Sequence, residues 1–304
     1  MQFNRNWTIP LLQASAIGLL RVLSRCPLRL LHWVGGLLGW IPFIASTRYR
    51  RRIIANLAQA GLAGWGPVRN AVRGIGAGAL ELAFIWMRPV DEVLAKVVSV
   101  EGREYLTDAA AVGRGVVYLT PHLGCFELAA LYIGAHRRLS AMYRPPRIGW
   151  LEPIMLAGRE RGQVRLCPAD ASGLRSLMRA LRAGEAIGIL PDQVPQAGGG
   201  EWADFFGRPA YTSTLASRFA ATSQAQLILC VCERLPAGKG YRMSFSPLAV
   251  SEHTSAARQI NSALEQAIRR LPEQYLWSYN RYKTPRGANA HASAPGLNSP
   301  AGKP

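Results

Sequence analysis

A histidine and a carboxylate stand close together in the middle of the chain, behind a run of apolar residues. Gly115-Val116-Val117-Tyr118-Leu119-Thr120 reads as a buried strand and Phe126 to Ala135 has helical spacing, so Pro121-His122-Leu123-Gly124-Cys125 is a strand-to-helix loop. Glu127 follows His122 by five residues, in the first turn of that helix. A carboxylate there can turn back to hydrogen-bond one imidazole nitrogen, which fixes the tautomer and frees the other nitrogen to take a proton from an alcohol. The spacing equally fits a loop-capping histidine beside a Glu drawn to a helix N-terminus.

Other chemistry is less well supported. Cys125 lies three residues from His122 and invites a thiol nucleophile, but Glu127 makes a simple base role sufficient. His122, Cys125 and Glu127 match no common zinc spacing, so no metal or cofactor is expected. Gly198-Gly199-Gly200 lacks the Lys-Ser/Thr of a phosphate loop and reads as a flexible loop. The five cysteines, Cys26, Cys125, Cys167, Cys230 and Cys232, show no Cys-x-x-Cys spacing, which points to a reducing compartment. Cys230 and Cys232 alternate in one strand and read as small core residues.

The elements that must hold these groups alternate. Strands are expected at 115–120, 139–143, 164–167, 186–190, 226–234 and 241–246, and helices at 126–135, 151–161, 172–182, 213–223 and 254–271. This rhythm predicts an α/β fold with a central mixed, mostly parallel sheet flanked by helices and active groups at the C-terminal ends of strands. The Gly- and Pro-rich stretch 192–209 reads as a loop, of which 194–202 could cover the site. Trp277, Tyr279 and Tyr282 fit a packed C-terminal strand better than an interfacial belt or a stacking surface. Residues 285–304 have the composition of a disordered tail.

The chain of 304 residues has a formal net charge of +18, and 49% of its residues are hydrophobic. This excludes a disordered basic tail and calls for an anionic partner. No Asp or Glu precedes Glu81, whereas Arg5, Arg21, Arg25, Arg29, Arg48, Arg50, Arg51, Arg52, Arg69 and Arg73 all do. The same quarter holds the apolar runs 9–20 and 30–45, and arginines flanking apolar segments fit a membrane surface, not a nucleic-acid groove. Both runs fall short of the roughly 20 residues that cross a bilayer. They read as in-plane or shallowly inserted helices, with a spanning anchor near 8–26 as the alternative. Ala14-Ser15-Ala16 resembles a signal cleavage site, but the arginines that follow hold the downstream chain in the cytoplasm. Three regions result: a basic, apolar, membrane-associating helical segment over 1–80, an α/β domain over 81–284, and the tail.

Several separated motifs together resemble one family. The His122/Glu127 arrangement behind an apolar strand is similar to the signature of glycerolipid and lysophospholipid acyltransferases. More narrowly, the chain resembles the bacterial lipid A biosynthesis lauroyl and myristoyl transferases. Agreement extends to Arg48 to Leu57, to Gly158-Arg159-Glu160-Arg161-Gly162, and to Leu190-Pro191-Asp192-Gln193 with Phe205 to Ala210. It closes with Pro272 to Lys283, so that the match covers about 10–287. The Gly124-Cys125-Phe126-Glu127 segment departs from the Gly-Asn-Trp-Glu-like form of many members.

The resemblance implies a glycerolipid acyltransferase-like fold, with His122 as general base and Glu127 as the carboxylate that orients it. It also marks Arg159 and Asp192 as catalytic or substrate-binding residues. The implied reaction moves an acyl chain from an acyl carrier protein thioester to a hydroxyl of a lipid A precursor, an anionic glycolipid, at the cytoplasmic face of the inner membrane. Oxyanion donors would be backbone amides near Gly124 or the Arg159 guanidinium, which could otherwise grip an acceptor phosphate. The alternatives are acylation of another lipid, such as a lysophospholipid, an ornithine-type lipid or a glycosylated pigment, and a non-enzymatic basic membrane-binding protein.

Overall fold

The computed structural model describes residues 11–106, 114–146, 148–251 and 253–289. The start of the possible 8–26 anchor and most of the 285–304 tail lie outside the described residues.

Six helices come first: α1 (Leu11–Arg25), α2 (Leu28–Leu38), α3 (Trp40–Ala45), α4 (Thr47–Gln59), α5 (Trp65–Met87) and α6 (Val90–Leu94). Leu28–Ala45 is the one stretch among the described residues long and apolar enough to cross a membrane, by length and composition. It is continuous but for Gly39, and one side of it is packed. Leu28, Leu31, Gly35 and Phe43 are buried, whereas Trp33, Leu37, Ile41 and Ile44 are exposed. The packed side meets α5 backbone to backbone, because a Cβ on Gly35 would lie 2.5 Å from the Gly76 carbonyl oxygen and one on Gly39 2.4 Å from that of Val72. Small residues here let the two helices touch.

The sheet follows. Strands β1 (Val97–Glu101), β2 (Val116–Leu119), β3 (Leu139–Tyr143), β4 (Val164–Pro168), β5 (Ala186–Ile189), β8 (Gln226–Arg234) and β9 (Tyr241–Pro247) form seven strands in the order β1-β9-β8-β2-β5-β3-β4. Neighbours are parallel except for the antiparallel β8/β9 pair, which gives the mixed, mostly parallel sheet expected. Strand β2 lies centrally and all four of its residues are buried on both faces, which is why its sequence is a continuous apolar run. Val117 and Leu119 join a core with Leu177, Phe219 and Leu264, and Val116 and Tyr118 one with Leu31, Phe84 and Leu128. The helices covering these faces include α7 (Phe126–His136), α8 (Glu152–Arg159), α9 (Ala171–Arg182), α10 (Leu215–Ser223) and α11 (Ala256–Arg270).

Two expectations fail. Residues 192–209 are not all loop, because β6 (Gly200–Phe205) and β7 (Arg208–Ser213) form a separate antiparallel hairpin turning through Phe206 and Gly207 at positive φ. Nor is 275–282 a strand. Its aromatic pattern is a packing pattern: Trp277 is buried, its Nε1–H bonded to the Pro272 carbonyl, and only Tyr275 makes a bridge, to Leu123.

Candidate active site

The sheet delivers its polar groups at the C-terminal ends of parallel strands. His122 follows β2 and Asp192 follows β5, strands paired directly to each other, which brings together residues 70 apart in sequence. The Asp192 carboxylate holds His122 twice. Its Oδ2 accepts the His122 backbone N–H at 3.0 Å, and its Oδ1 lies 2.9 Å from the ring Nδ1. Asp192 is buried; burial alone would raise its carboxyl, but the His122 ring and backbone N–H outweigh that and hold it below the ordinary carboxylate range. A carboxylate on Nδ1 assigns the proton there and leaves Nε2 as the lone-pair nitrogen. Gln193 Nε2 lies 3.1 Å from that nitrogen and can donate to it.

This corrects the expected pairing. Glu127, in the first turn of α7, does not orient the ring; it accepts hydrogen bonds from Arg159 and Trp86. Arg159 Nε donates to Oε2 at 2.8 Å and Nη2 to Oε1, and Trp86 Nε1–H donates to Oε2 at 3.1 Å. The helix carries the carboxylate away from the histidine and toward α8. Arg159 can come this close because Gly158 has no side chain, since a Cβ there would lie 2.5 Å from Trp86 Cβ. The Gly-Arg dipeptide thus has a steric reason.

Three amides of the loop between His122 and Glu127 are held by backbone carbonyls. Gly124 has φ +63°, and a Cβ there would lie 2.0 Å from the Cys232 carbonyl oxygen, so only glycine fits. The amide of Leu123 bonds to the Pro121 carbonyl, that of Gly124 to Gln274, and that of Cys125 to Cys232. These amides and the paired Arg159 are therefore already engaged, whereas the Gln193 amide stands beside the ring nitrogen. Cys125 is fully buried; burial, with Cys232 and Glu81 close by, pushes its thiol well up, which keeps it an inert core thiol.

His122, Glu127, Arg159 and Gln193 share the wall of a cavity of about 330 Å³. The rest of its lining is largely apolar: Ala130 and Ile133 of α7, Leu139 and Ala141 of β3, Val164 and Leu166 of β4. A smaller cavity of about 240 Å³ lies against α5, with Gly78, Leu82 and Tyr275 in its wall, and meets the first at His122, Phe126 and Glu127. A histidine facing a largely apolar cavity is suited to chemistry on a lipid.

Comparison with known sequences agrees with this. Residues 11–284 match the family described as bacterial lipid A biosynthesis acyltransferase. The chain belongs to that family. The lipid A biosynthesis palmitoleoyltransferase of Escherichia coli K12 is 30% identical over 216 residues, covering 70% of each chain. The lauroyltransferase of the same organism is 31% identical over 218 residues, or 69% of each. The myristoyltransferase is 24% identical over 192 residues, covering 60% of this chain and 58% of its own. The solved 1-acyl-sn-glycerophosphate acyltransferase PlsC of Thermotoga maritima aligns over 80% of this chain and 96% of its own at 12% identity and a TM-score of 0.34. Membership of that family makes the chain an acyltransferase, an enzyme that acts on a lipid acceptor.

The motifs read from the sequence acquire positions in the fold. Asn56 of α4 donates to the carbonyls of Trp277 and Tyr279 at 2.7 and 2.8 Å, so the first basic motif clamps the last aromatic one. Residues 274–276 in turn pair with the His122 loop, the Leu276 amide donating to the His122 carbonyl at 3.1 Å. Arg281, buried, donates to the Tyr211 carbonyl and Thr212 Oγ1 and so ties this segment to β7. Spacing had no means of pointing to Gln193, Trp86 or Gln274, because each acts across the fold.

Proposed function

We propose that the enzyme transfers a fatty acyl chain from an acyl carrier protein thioester to a hydroxyl of a lipid A precursor, as a late acylation at the cytoplasmic face of the inner membrane. The observation that carries this reading is the lone-pair Nε2 of His122, held on the wall of an apolar cavity by an Asp192 bond to the other ring nitrogen. The acyl chain of the donor occupies the 330 Å³ cavity. The acceptor hydroxyl takes the place of the Gln193 amide at Nε2. His122 removes its proton as the oxygen attacks the thioester carbonyl, and the carrier thiolate leaves with that proton. Asp192 stabilises the imidazolium formed in between. The displaced Gln193 amide stands within hydrogen-bond reach of the reacting carbonyl and stabilises its developing negative charge. Glu127 holds Arg159 at the cavity wall and takes no proton.

The exposed apolar side of α2 and α3, with Trp33, Ile41 and Ile44, supports an in-plane seat in the membrane interface, because the opposite side is already packed on α5. Arg48 and Arg51, exposed on α4, supply charge for an anionic lipid surface, and the net charge of +18 suits an acidic carrier protein. The test is acyl transfer by the purified protein from acyl carrier protein to a lipid A precursor, read by mass spectrometry. His122→Ala, with unchanged circular dichroism, should lose activity by about 10⁴-fold. Lipid A from a deletion strain should lack one secondary acyl chain; intact lipid A with a different lipid missing would transfer the activity to that lipid.

A further inference from the structure

Arg159 was a natural choice to grip a substrate phosphate, but its guanidinium is committed to Glu127. A second group of cations stands beside the site without any such commitment. Arg144 follows β3 at the same sheet edge as His122, and Lys283 and Arg286 come from the segment after Arg281. All three are exposed and line an open pocket of about 580 Å³ that no carboxylate lines. Arg144, Val194 and Pro195 belong to its wall and to that of the His122 cavity. Among the described residues none of the three cations is in an ion pair, whereas Arg88, Arg138, Arg242 and Arg258 each have a glutamate.

The pocket is built on anchored backbone. The Val194 amide donates to the Tyr279 hydroxyl at 2.9 Å, Lys283 Nζ lies 5.3 Å from the Tyr279 ring, and Trp202 Nε1–H donates to the Asn289 carbonyl at 3.0 Å. Three like charges converging on one concavity repel one another until an anion enters. Two guanidinium forks and an ammonium suit the several oxygens of a phosphate better than a single carboxylate.

We propose that this pocket is a phosphate-ester subsite, which holds a substrate's phosphate while its reacting group lies at His122. The proposal rests on the acyl-transfer reading above for the identity of the substrates. Two of them carry the chemistry: the phosphorylated lipid acceptor, and the carrier protein through the phosphopantetheine arm that bears its thioester.

The experiment compares full-length wild type with the triple variant Arg144→Gln, Lys283→Gln, Arg286→Gln in detergent, varying each substrate separately. The expected result is a rise of about tenfold or more in one KM with little change in kcat, the loss expected when charge-assisted hydrogen bonds to a bound group are removed. A rise in the acceptor KM that disappears with a dephosphorylated acceptor assigns the pocket to the lipid. A rise in the donor KM that disappears with a thioester lacking the pantetheine phosphate assigns it to the carrier arm. Inorganic phosphate gives a readout that needs no turnover: it should raise the melting temperature of wild type more than that of the variant. Equal KM values together with equal phosphate stabilisation would overturn the proposal. Wild-type protein that transfers no acyl chain would instead overturn the acyl-transfer reading, and the phosphate measurement would still decide the pocket.

Discussion

Among the described residues, two histidine–carboxylate pairs have nearly equal length. His122 Nδ1 lies 2.9 Å from Asp192, and His32 Nε2 lies 3.0 Å from Glu81. They differ in what else the carboxylate does. Glu81, on α5, also accepts two hydrogen bonds from Arg234 of β8 and one, at 2.9 Å, from the Tyr241 hydroxyl of β9. Burial would raise its carboxyl, but Arg234 and His32 outweigh it and hold the pKa at about 2. Arg234 is buried too and is pushed the opposite way, upward, because Glu81 outweighs the cost of its desolvation. That pair is a fully satisfied strut that joins α2, α5 and the sheet. Asp192 also has a tyrosine, Tyr275, beside it, but it gives both its oxygens to His122, whose second ring nitrogen lies beside the Gln193 amide on a cavity wall. A histidine next to a carboxylate is therefore not chemistry by itself; a free nitrogen beside a substrate-sized space is what makes it so.

Four measurements test this contrast. Asp192→Asn should lower kcat by about 10² to 10⁴-fold while the protein stays folded, because the ring loses its fixed tautomer and its counter-charge. Glu81→Ala should do the reverse, costing about 3–5 kcal/mol of stability by stranding the buried Arg234, while the molecules that stay folded keep near-normal kcat. Similar stability losses for the two variants would erase the distinction. Gln193→Ala should lower kcat by about 10²-fold or more with little change in either KM, as expected of a donor used only in the transition state; a change confined to KM would remove it from the chemistry. The smallest effect is on pH dependence. Because the Glu81 pKa is depressed on folding from 4.5 to about 2, its contribution is complete above the ordinary carboxylate range and is lost as pH falls between those values. Melting temperature should drop across that window in wild type and less so in Glu81→Gln.

Much of the fold was legible because central strands of a doubly covered sheet must be apolar throughout. Strands β3 and β8 fall where the pattern put them, and β2, β5 and β9 within a residue at each end. Strand β1 was missed because it is a half-exposed edge, and the β6/β7 hairpin because Gly200 and Pro209 break its alternation. His122 was legible as a reactive residue from its loop. Its true partner was not, since local spacing offers Glu127 five residues away, and only the β2/β5 pairing brings Asp192 to the ring. The Gly158-Arg159 motif could be read but not explained until Trp86 was seen beside it.

The loop that carries His122 closes against residues 274–276, and the segment directly after them is bound by Asn56 of α4 at Trp277 and Tyr279 and anchored through Arg281. The reactive histidine therefore cannot be fully framed until almost the last residue of the matched region has been made. A chain emerging from the ribosome can pack its early helices long before this loop is framed, and a fragment cut just before residue 272 should keep those helices yet transfer no acyl chain. Timing of assembly thus separates the packing of the early helices from the framing of the histidine.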